Sequence, residues 1–328
     1  MISHNLPIAF TMGDPSGIGP EIIIKSFLKL ANDNKKYFVI GDPLVMERTI
    51  SSLKLKLKIN IIRNIKEAIF KKDIIDIFIT SKLTSYSDYG VAKKENAEAA
   101  FKAIIKAIEL AKDNKIHGIV TAPINKYAFN LANIKYPGHT EILSDHSISK
   151  KAAMMLVNEE IKTVLVTLHC SLMDAIKQLS FSKELNAINF AYEGALMLGI
   201  KKPIIGVAAL NPHAGEGGIF GNEEKKIIIP AINYALDKGI DVRGPFPPDT
   251  IFMNARRGAY DVVVSQYHDQ ALIPIKYLGI HKGINITLGL DFLRTSPDHG
   301  TAYDIAGQGI ADPSSFIQAA KFMNEINL

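Results

Sequence analysis

Three of the nine histidines in this chain each close an apolar run. KTVLVTLH ends at His169, PIIGVAALNPH at His213 and DVVVSQYH at His268. Neutral imidazoles are good ligands for divalent transition metals, and three protein ligands with one position left open is the arrangement of a catalytic zinc site. A lone histidine after a strand is more often structural, satisfied by a nearby carbonyl. The conjunction of three makes a metal site the better reading. Their spacing is wide, so the fold must bring them together, unlike the ligands of a compact HExxH helix. Glu216 and Asp269 lie near two of them in sequence and could orient the imidazoles from behind. Both could equally be helix N-terminal carboxylates.

A second set of side chains suits an anion. The chain has only six arginines against 32 lysines, and Arg294 falls in the conspicuous segment NITLGLDFLR. Its planar fork and the point charge of Lys276, in YHDQALIPIK, would together suit a phosphate. His139 and Thr140, in YPGHTE, would add donors. The competing role for the Arg294 segment is a polar loop packed at a domain junction. Gly13–Glu21, GDPSGIGPE, places Pro20 and Glu21 where a helix would start. It matches neither GxGxxG nor the phosphate loop GxxxxGK[ST], so a tight strand-to-helix turn is favoured over an anion cradle. GEGGIFG, residues 215–221, also misses GxGxxG. A nicotinamide cofactor would therefore not be held by the usual dinucleotide fingerprint.

These residues need a scaffold that gathers strand ends. Short apolar runs alternate with helical patterns along the chain. The expected strands are Pro7–Met12, Tyr37–Ile40, Ile74–Ile79, Ile116–Thr121, Thr163–Leu168, Ile204–Leu210 and Asp261–Ser265. The clearest helix is Lys93–Ala111, with Ala97, Ala100, Phe101, Ile104, Ile105, Ile108 and Ala111 on one face. Such alternation predicts an α/β protein with a largely parallel sheet. Ligands of open parallel sheets bind beyond the carboxyl ends of the strands, which is where all three histidines fall.

Bulk properties exclude several classes. The chain has 328 residues, 47% of them hydrophobic, which suits one large or two medium domains. No apolar run approaches the roughly 18 residues of a membrane span. The N-terminal segment lacks the pattern of a secretory signal. A single cysteine, Cys170, rules out an internal disulfide framework and fits a reducing cytoplasm. The net charge of +5 comes from lysines scattered through the chain rather than from a basic stripe, so neither nucleic acid nor membrane is an expected partner.

The motifs TMGDPSGIGPE, TAPINK, YPGHTE, TLH, NPHAGEGG, GPFPPDT, YHDQALIPIKY, NITLGLDFLRTS and DHGTAYDIAG occur in one order from residue 11 to 309. This ordered set resembles the 4-hydroxythreonine-4-phosphate dehydrogenase family of pyridoxal phosphate biosynthesis. The resemblance implies two α/β/α lobes with mainly parallel sheets, an isocitrate/isopropylmalate dehydrogenase-like fold with its site in the cleft, and a homodimer sharing that site. Residues 1–130 plus 270–328 would form a discontinuous lobe carrying the cofactor loop. Residues 131–269 would form the second, with the metal site and dimer interface. By motif, His169, His213 and His268 match the divalent metal ligands, drawn from both subunits. His139, Thr140, Lys276, Asn285 and Arg294 match substrate contacts. The loop HGTAYDIAG resembles that with which isopropylmalate dehydrogenases bind the adenosine part of NAD, which implicates His299, Gly300, Thr301, Ala302 and Asp304.

The implied reaction is NAD-dependent oxidation of 4-(phosphooxy)-L-threonine, with NADP as the alternative cofactor and zinc, cobalt or magnesium as the metal. No residue stands out as the general base. Asp249, in PPDT, is the candidate, with a helix cap as its other role. Two departures from the family pattern, Ala271 after YHDQ and Cys170-Ser171 after the first histidine, remove no ligand. A paralogous dehydrogenase of a phosphorylated aldonate, 4-phospho-D-threonate or 4-phospho-D-erythronate, shares the same contacts. A metal-dependent phosphoester hydrolase would leave the NAD-loop resemblance without purpose, and the intact set of three histidines, Lys276 and Arg294 counts against an inert phosphometabolite binder.

Overall fold

In the computed structural model, residues 6–33, 35–85, 88–279 and 283–326 are described. The chain divides into two compact units, one of residues 1–152 with 290–326 and one of residues 153–289. The strands, in chain order, are β1 (Ile8–Thr11), β2 (Tyr37–Gly41), β3 (Lys58–Ile62), β4 (Ile74–Ile79), β5 (Gly118–Thr121), β6 (Ala153–Val157), β7 (Lys162–Leu165), β8 (Ile204–Ala208), β9 (Asp241–Phe246), β10 (Val262–Ser265), β11 (Ile284–Leu288) and β12 (Leu293–Pro297).

The first unit orders its strands β3-β4-β2-β1-β5-β12, and every pairing is parallel. Its central strands, IAFT in β1 and GIVT in β5, are buried along their whole length, as expected when helices cover both faces of a sheet. The helix Lys94–Lys112 buries Ala97, Ala100, Ile104, Ile108 and Ala111, the face its spacing predicts. Phe101 and Ile105 pack at the margin of the same core. Phe129, Ile142 and Leu143 join that core from the helices Lys126–Leu131 and His139–His146.

The second unit orders its strands β11-β6-β7-β10-β8-β9. β7, β10, β8 and β9 run parallel, and β6 is antiparallel to both of its neighbours. Its core joins Leu156, Leu165, Ala208 and Val263 of the sheet to Ala271, Leu272 and Ile275 of the helix His268–Tyr277.

The expected boundaries near 130 and 270 thus shift to 152/153 and 289/290. Residues 131–152 belong to the first unit because the helix His139–His146 there buries Ile142 and Leu143 in its core. Residues 270–289 belong to the second because their helix packs into its core and β11 pairs with β6. Five strands, β3, β6, β9, β11 and β12, were not expected. β3 is a half-exposed KINII and β9 contains Gly244-Pro245, compositions that weaken the strand signal. β12, LRTSP, is polar yet wholly buried. Among the described residues no helix is long and apolar enough to cross a membrane.

Candidate functional site

The second unit places its three strand-end histidines as the sheet dictates. β7, β10 and β8 are adjacent and parallel, so the segments leading to His169, His268 and His213 leave from one edge. Two side-by-side ties hold the first two segments together. Val166 N–H donates to Ser265 O (2.9 Å), and Thr167 Oγ1 donates to Gln266 O (2.7 Å). The imidazoles of His169 and His268 consequently stand 5.5 Å apart, centroid to centroid. A cavity of about 410 Å³ opens over them, bordered also by Cys170, Tyr267 and Asp269.

His268 begins the helix His268–Tyr277, and its Nδ1 is hydrogen-bonded to Asp269 Oδ1 at 2.7 Å. That contact assigns the proton to Nδ1 and leaves Nε2 as a lone-pair donor, the arrangement of a metal-ligating histidine backed by a carboxylate. Of the two carboxylates expected behind the histidines, Asp269 takes that position. Glu216 is exposed in a left-handed turn. Gln270 has a separate role: its Oε1 accepts from Gln266 N–H (2.7 Å) and its Nε2 donates to Ala209 O (2.9 Å).

His213 is arranged differently. After Pro212 the backbone runs through five consecutive left-handed residues, His213 to Gly217, with φ of 51, 54, 78, 41 and 66°. Three of these are not glycine, and each costs about 1–2 kcal/mol. The imidazole of His213 is left exposed, with the Phe220 ring 6.3 Å away. Among the described residues no three His, Cys, Asp or Glu side chains of one chain are grouped to hold a metal ion. A single chain therefore pairs His169 with His268 and presents His213 apart from them.

Behind this edge lies a carboxyl group that motif reading missed. Glu184, on the helix Phe181–Met197, is fully buried. Its Oε1 accepts from Gln266 Nε2 at 3.1 Å. Burial pushes its pKa up to about 7, against which the Gln266 bond pulls. Among the described residues Glu184 Oε2 and Gln266 Oε1 are both buried without a hydrogen-bond partner, so the pair is short of one donor, which a proton on Glu184 would add. Lys276 is exposed in the last turn of its helix, and Asn285 Oδ1 on β11 is buried without a partner.

The first unit sets a buried guanidinium beside an imidazole. Arg294 lies on β12 beside β5, and its Nε and Nη2 donate to Thr121 Oγ1 at 3.2 and 2.7 Å. It is only 4% exposed, and burial pulls its pKa down to about 9, so it is still a cation at neutral pH. His139 opens the helix His139–His146. Burial, and then the nearby Arg294 charge, hold its pKa well below the ordinary imidazole value. His139 Nε2 is buried without a hydrogen-bond partner among the described residues. A buried cation beside a neutral, unsatisfied imidazole suits a phosphate, which would offer acceptors to both. Thr140 follows His139 in the first helical turn.

The two glycine-rich segments of this unit pack on each other. Ile18 N–H donates to Thr301 O (3.0 Å), and Tyr303 Oη donates to Asp14 Oδ2 (2.7 Å). Asp14 also accepts from Ser16 N–H (2.8 Å), and its burial raises its pKa. A Cβ on Gly17 would meet Thr301 O at 2.9 Å and Thr301 Cβ at 3.0 Å, so glycine is required by the close approach. The loop from His299 to Asp304 is thereby anchored while still partly open to solvent. Gly300 has open space where a side chain would stand, and Ala302 takes φ +41°. The GDPSGIGPE segment packs against this loop and turns into the helix Gly19–Leu30, in keeping with the tight strand-to-helix turn that its sequence favours. Asp249 is exposed in the first turn of the helix Pro248–Arg256, whose N-cap position is taken by Pro247.

Comparison with known proteins gives one consistent picture. The sequence profile described as "Pyridoxal phosphate biosynthetic protein PdxA" matches residues 33–323. The chain is 53% identical over 328 residues to the 4-hydroxythreonine-4-phosphate dehydrogenase of Beijerinckia indica, covering 100% of this chain and 96% of the relative. It is 42% identical to the D-threonate 4-phosphate dehydrogenase of Cupriavidus necator, covering 98% and 97%. The crystal structure of 4-hydroxythreonine-4-phosphate dehydrogenase from Klebsiella pneumoniae superposes with a TM-score of 0.90 at 40% identity, covering 98% of each chain.

Proposed function

From the premise that this chain belongs to the pyridoxal phosphate biosynthetic protein PdxA family, we propose that it is the dehydrogenase of 4-(phosphooxy)-L-threonine. The C3 hydroxyl loses its proton and the C3 hydrogen leaves as hydride to NAD, giving 2-amino-3-oxo-4-phosphooxybutanoate. That β-keto acid loses CO₂ to give 3-amino-2-oxopropyl phosphate. The observation that carries this reading is the pairing of His169 with His268, whose Nδ1 is held by Asp269. NAD is the assigned cofactor, with NADP as the alternative.

A divalent ion bound through imidazole nitrogens would supply Lewis-acid stabilisation of the negative charge that develops on the substrate oxygen. Imidazole ligands suit zinc or cobalt better than magnesium, which prefers oxygen. Asp269 fixes the tautomer and orientation of His268. His213 is assigned as the third ligand, supplied by the partner chain of a homodimer. Its exposure and its separation from the other two within one chain support that assignment.

In the first unit, Arg294, His139 and Thr140 are assigned to the substrate phosphate. Binding that remote group orients the reacting carbon. The low pKa of His139 keeps it neutral, so it can donate or accept without adding charge. The anchored loop bearing His299, Gly300, Thr301, Ala302 and Asp304 is assigned to the adenosine part of NAD. In the second unit, Lys276 and Asn285 are assigned as further substrate contacts. The buried, unsatisfied Oδ1 of Asn285 gives it an acceptor to offer. Asp249 is kept as the general-base candidate: it is exposed, and the N-cap position of its helix is held by Pro247.

A second reading has its own support in the 42% identity to the D-threonate 4-phosphate dehydrogenase of Cupriavidus necator. One assay separates the two. The purified protein is incubated with NAD, a divalent metal and each phosphorylated substrate, and NADH absorbance is followed. NADH with 4-(phosphooxy)-L-threonine is the expected result. NADH only with 4-phospho-D-threonate or 4-phospho-D-erythronate selects the paralogue, and none with any substrate rejects both.

A further inference from the structure

The loop that carries His213 needs an anchor. Five consecutive left-handed residues make a turn that side chains disfavour. The anchor is a buried carboxylate from a neighbouring element. Glu224, 2% exposed, opens the π-helical turn Glu224–Ile228. Such wide turns are rare, and they are frequent at functional sites. Glu224 Oε1 accepts from Leu210 N–H (3.1 Å) and Asn211 N–H (2.8 Å). Its Oε2 accepts from Asn211 Nδ2 (3.0 Å). The loop then folds down on the carboxylate so closely that a Cβ on Gly215 would lie 2.7 Å from Glu224 Oε2.

The same short segment is held from its other side. Ala208 O accepts from Gln266 Nε2 (2.8 Å) and Ala209 O from Gln270 Nε2 (2.9 Å). Gln266 and Gln270 flank His268. Residues 208–211 are therefore a common brace: one side fixes them to the His268 segment, and the other is gripped by Glu224.

We propose that Glu224 is the positioning residue of His213. It holds the strand end from which the left-handed turn departs, and so sets where the imidazole is presented as a metal ligand. This rests on the assignment of His213 as a ligand. Glu224 acts through the backbone of Leu210 and Asn211.

The test is a Co(II) titration of the full-length, metal-stripped protein, followed by calorimetry and the cobalt absorption spectrum, with folding checked by circular dichroism. Glu224→Ala should lower Co(II) affinity by about 10–100-fold, the usual effect of losing an outer partner of a metal site. Glu224→Gln keeps an oxygen for both backbone N–H groups but loses the charge, and should cost roughly fivefold, because bonds to a charged acceptor are about twice as strong. A folded Glu224→Ala protein with wild-type affinity overturns the proposal. If that variant does not fold, Glu224→Gln decides, and wild-type affinity there overturns it. His213→Ala is the control. Unchanged affinity in His213→Ala refutes the ligand assignment itself. Lost affinity there with none lost in Glu224→Ala refutes only the positioning role.

Discussion

Replacing Glu184 by glutamine should flatten part of the pH dependence of folding stability. Glu184 is fully buried, and its pKa is pushed from the ordinary 4.5 up to about 7. In the unfolded chain it ionises near its ordinary value. Between those two values the folded protein binds more protons at this site than the unfolded one, so stability falls as pH rises. The contribution is fully present below about 4.5 and lost once pH passes about 7. At ~1.4 kcal/mol per decade of acidity, the loss is about 3 kcal/mol. Of this, about 2–3 kcal/mol falls between roughly pH 5 and 8. Glutamine is nearly isosteric and never ionises, and its amide supplies the donor that the Glu184–Gln266 pair lacks. Urea unfolding of the metal-free protein at a series of pH values, at one protein concentration, measures the difference. Wild type should lose about 2–3 kcal/mol relative to Glu184→Gln across that range. Parallel stability–pH curves for the two proteins would refute the reasoning, since they would mean that the buried carboxyl titrates no differently folded than unfolded.

Three further outcomes are expected. Arg294→Lys keeps a positive charge but not the fork that bonds Thr121 Oγ1, so KM for the phosphorylated substrate should rise about 10–100-fold, more than kcat falls; an unchanged KM would remove Arg294 from the phosphate site. Asp269→Asn takes the carboxylate from His268 Nδ1 and should weaken metal binding by about 10–100-fold, read as metal content after dialysis. Gly17→Ala sets a Cβ against Thr301 O and Cβ; displacing the loop should cost about 1–3 kcal/mol, seen as a higher KM for NAD with the phosphorylated substrate's KM little changed.

The pattern of apolar runs was enough to read an α/β protein with parallel strands, because a strand buried on both faces is apolar along most of its length, as IAFT and VVVS are. It also located the three histidines, since chain order alone says which residue follows a strand. The ordered motifs pointed to the family and to Arg294 and His139. Other features were not legible, because they depend on which strands become neighbours. β7 beside β10 brings His169 to His268, while a run of left-handed residues that no periodicity announces sets His213 apart. β12 beside β5 buries Arg294 against Thr121, 173 residues away in sequence. Glu184 and Glu224 sit in unremarkable helical sequence, where a carboxylate normally reads as a solvated face. Only the tertiary structure buries them, and burial is what turns an ordinary glutamate into a group that holds a proton near neutrality or grips a strand end. Residue types determined which chemistry this chain can supply; packing decided which of those groups meet, because the desolvation that shifts a pKa or strengthens a hydrogen bond exists only once the elements close around them.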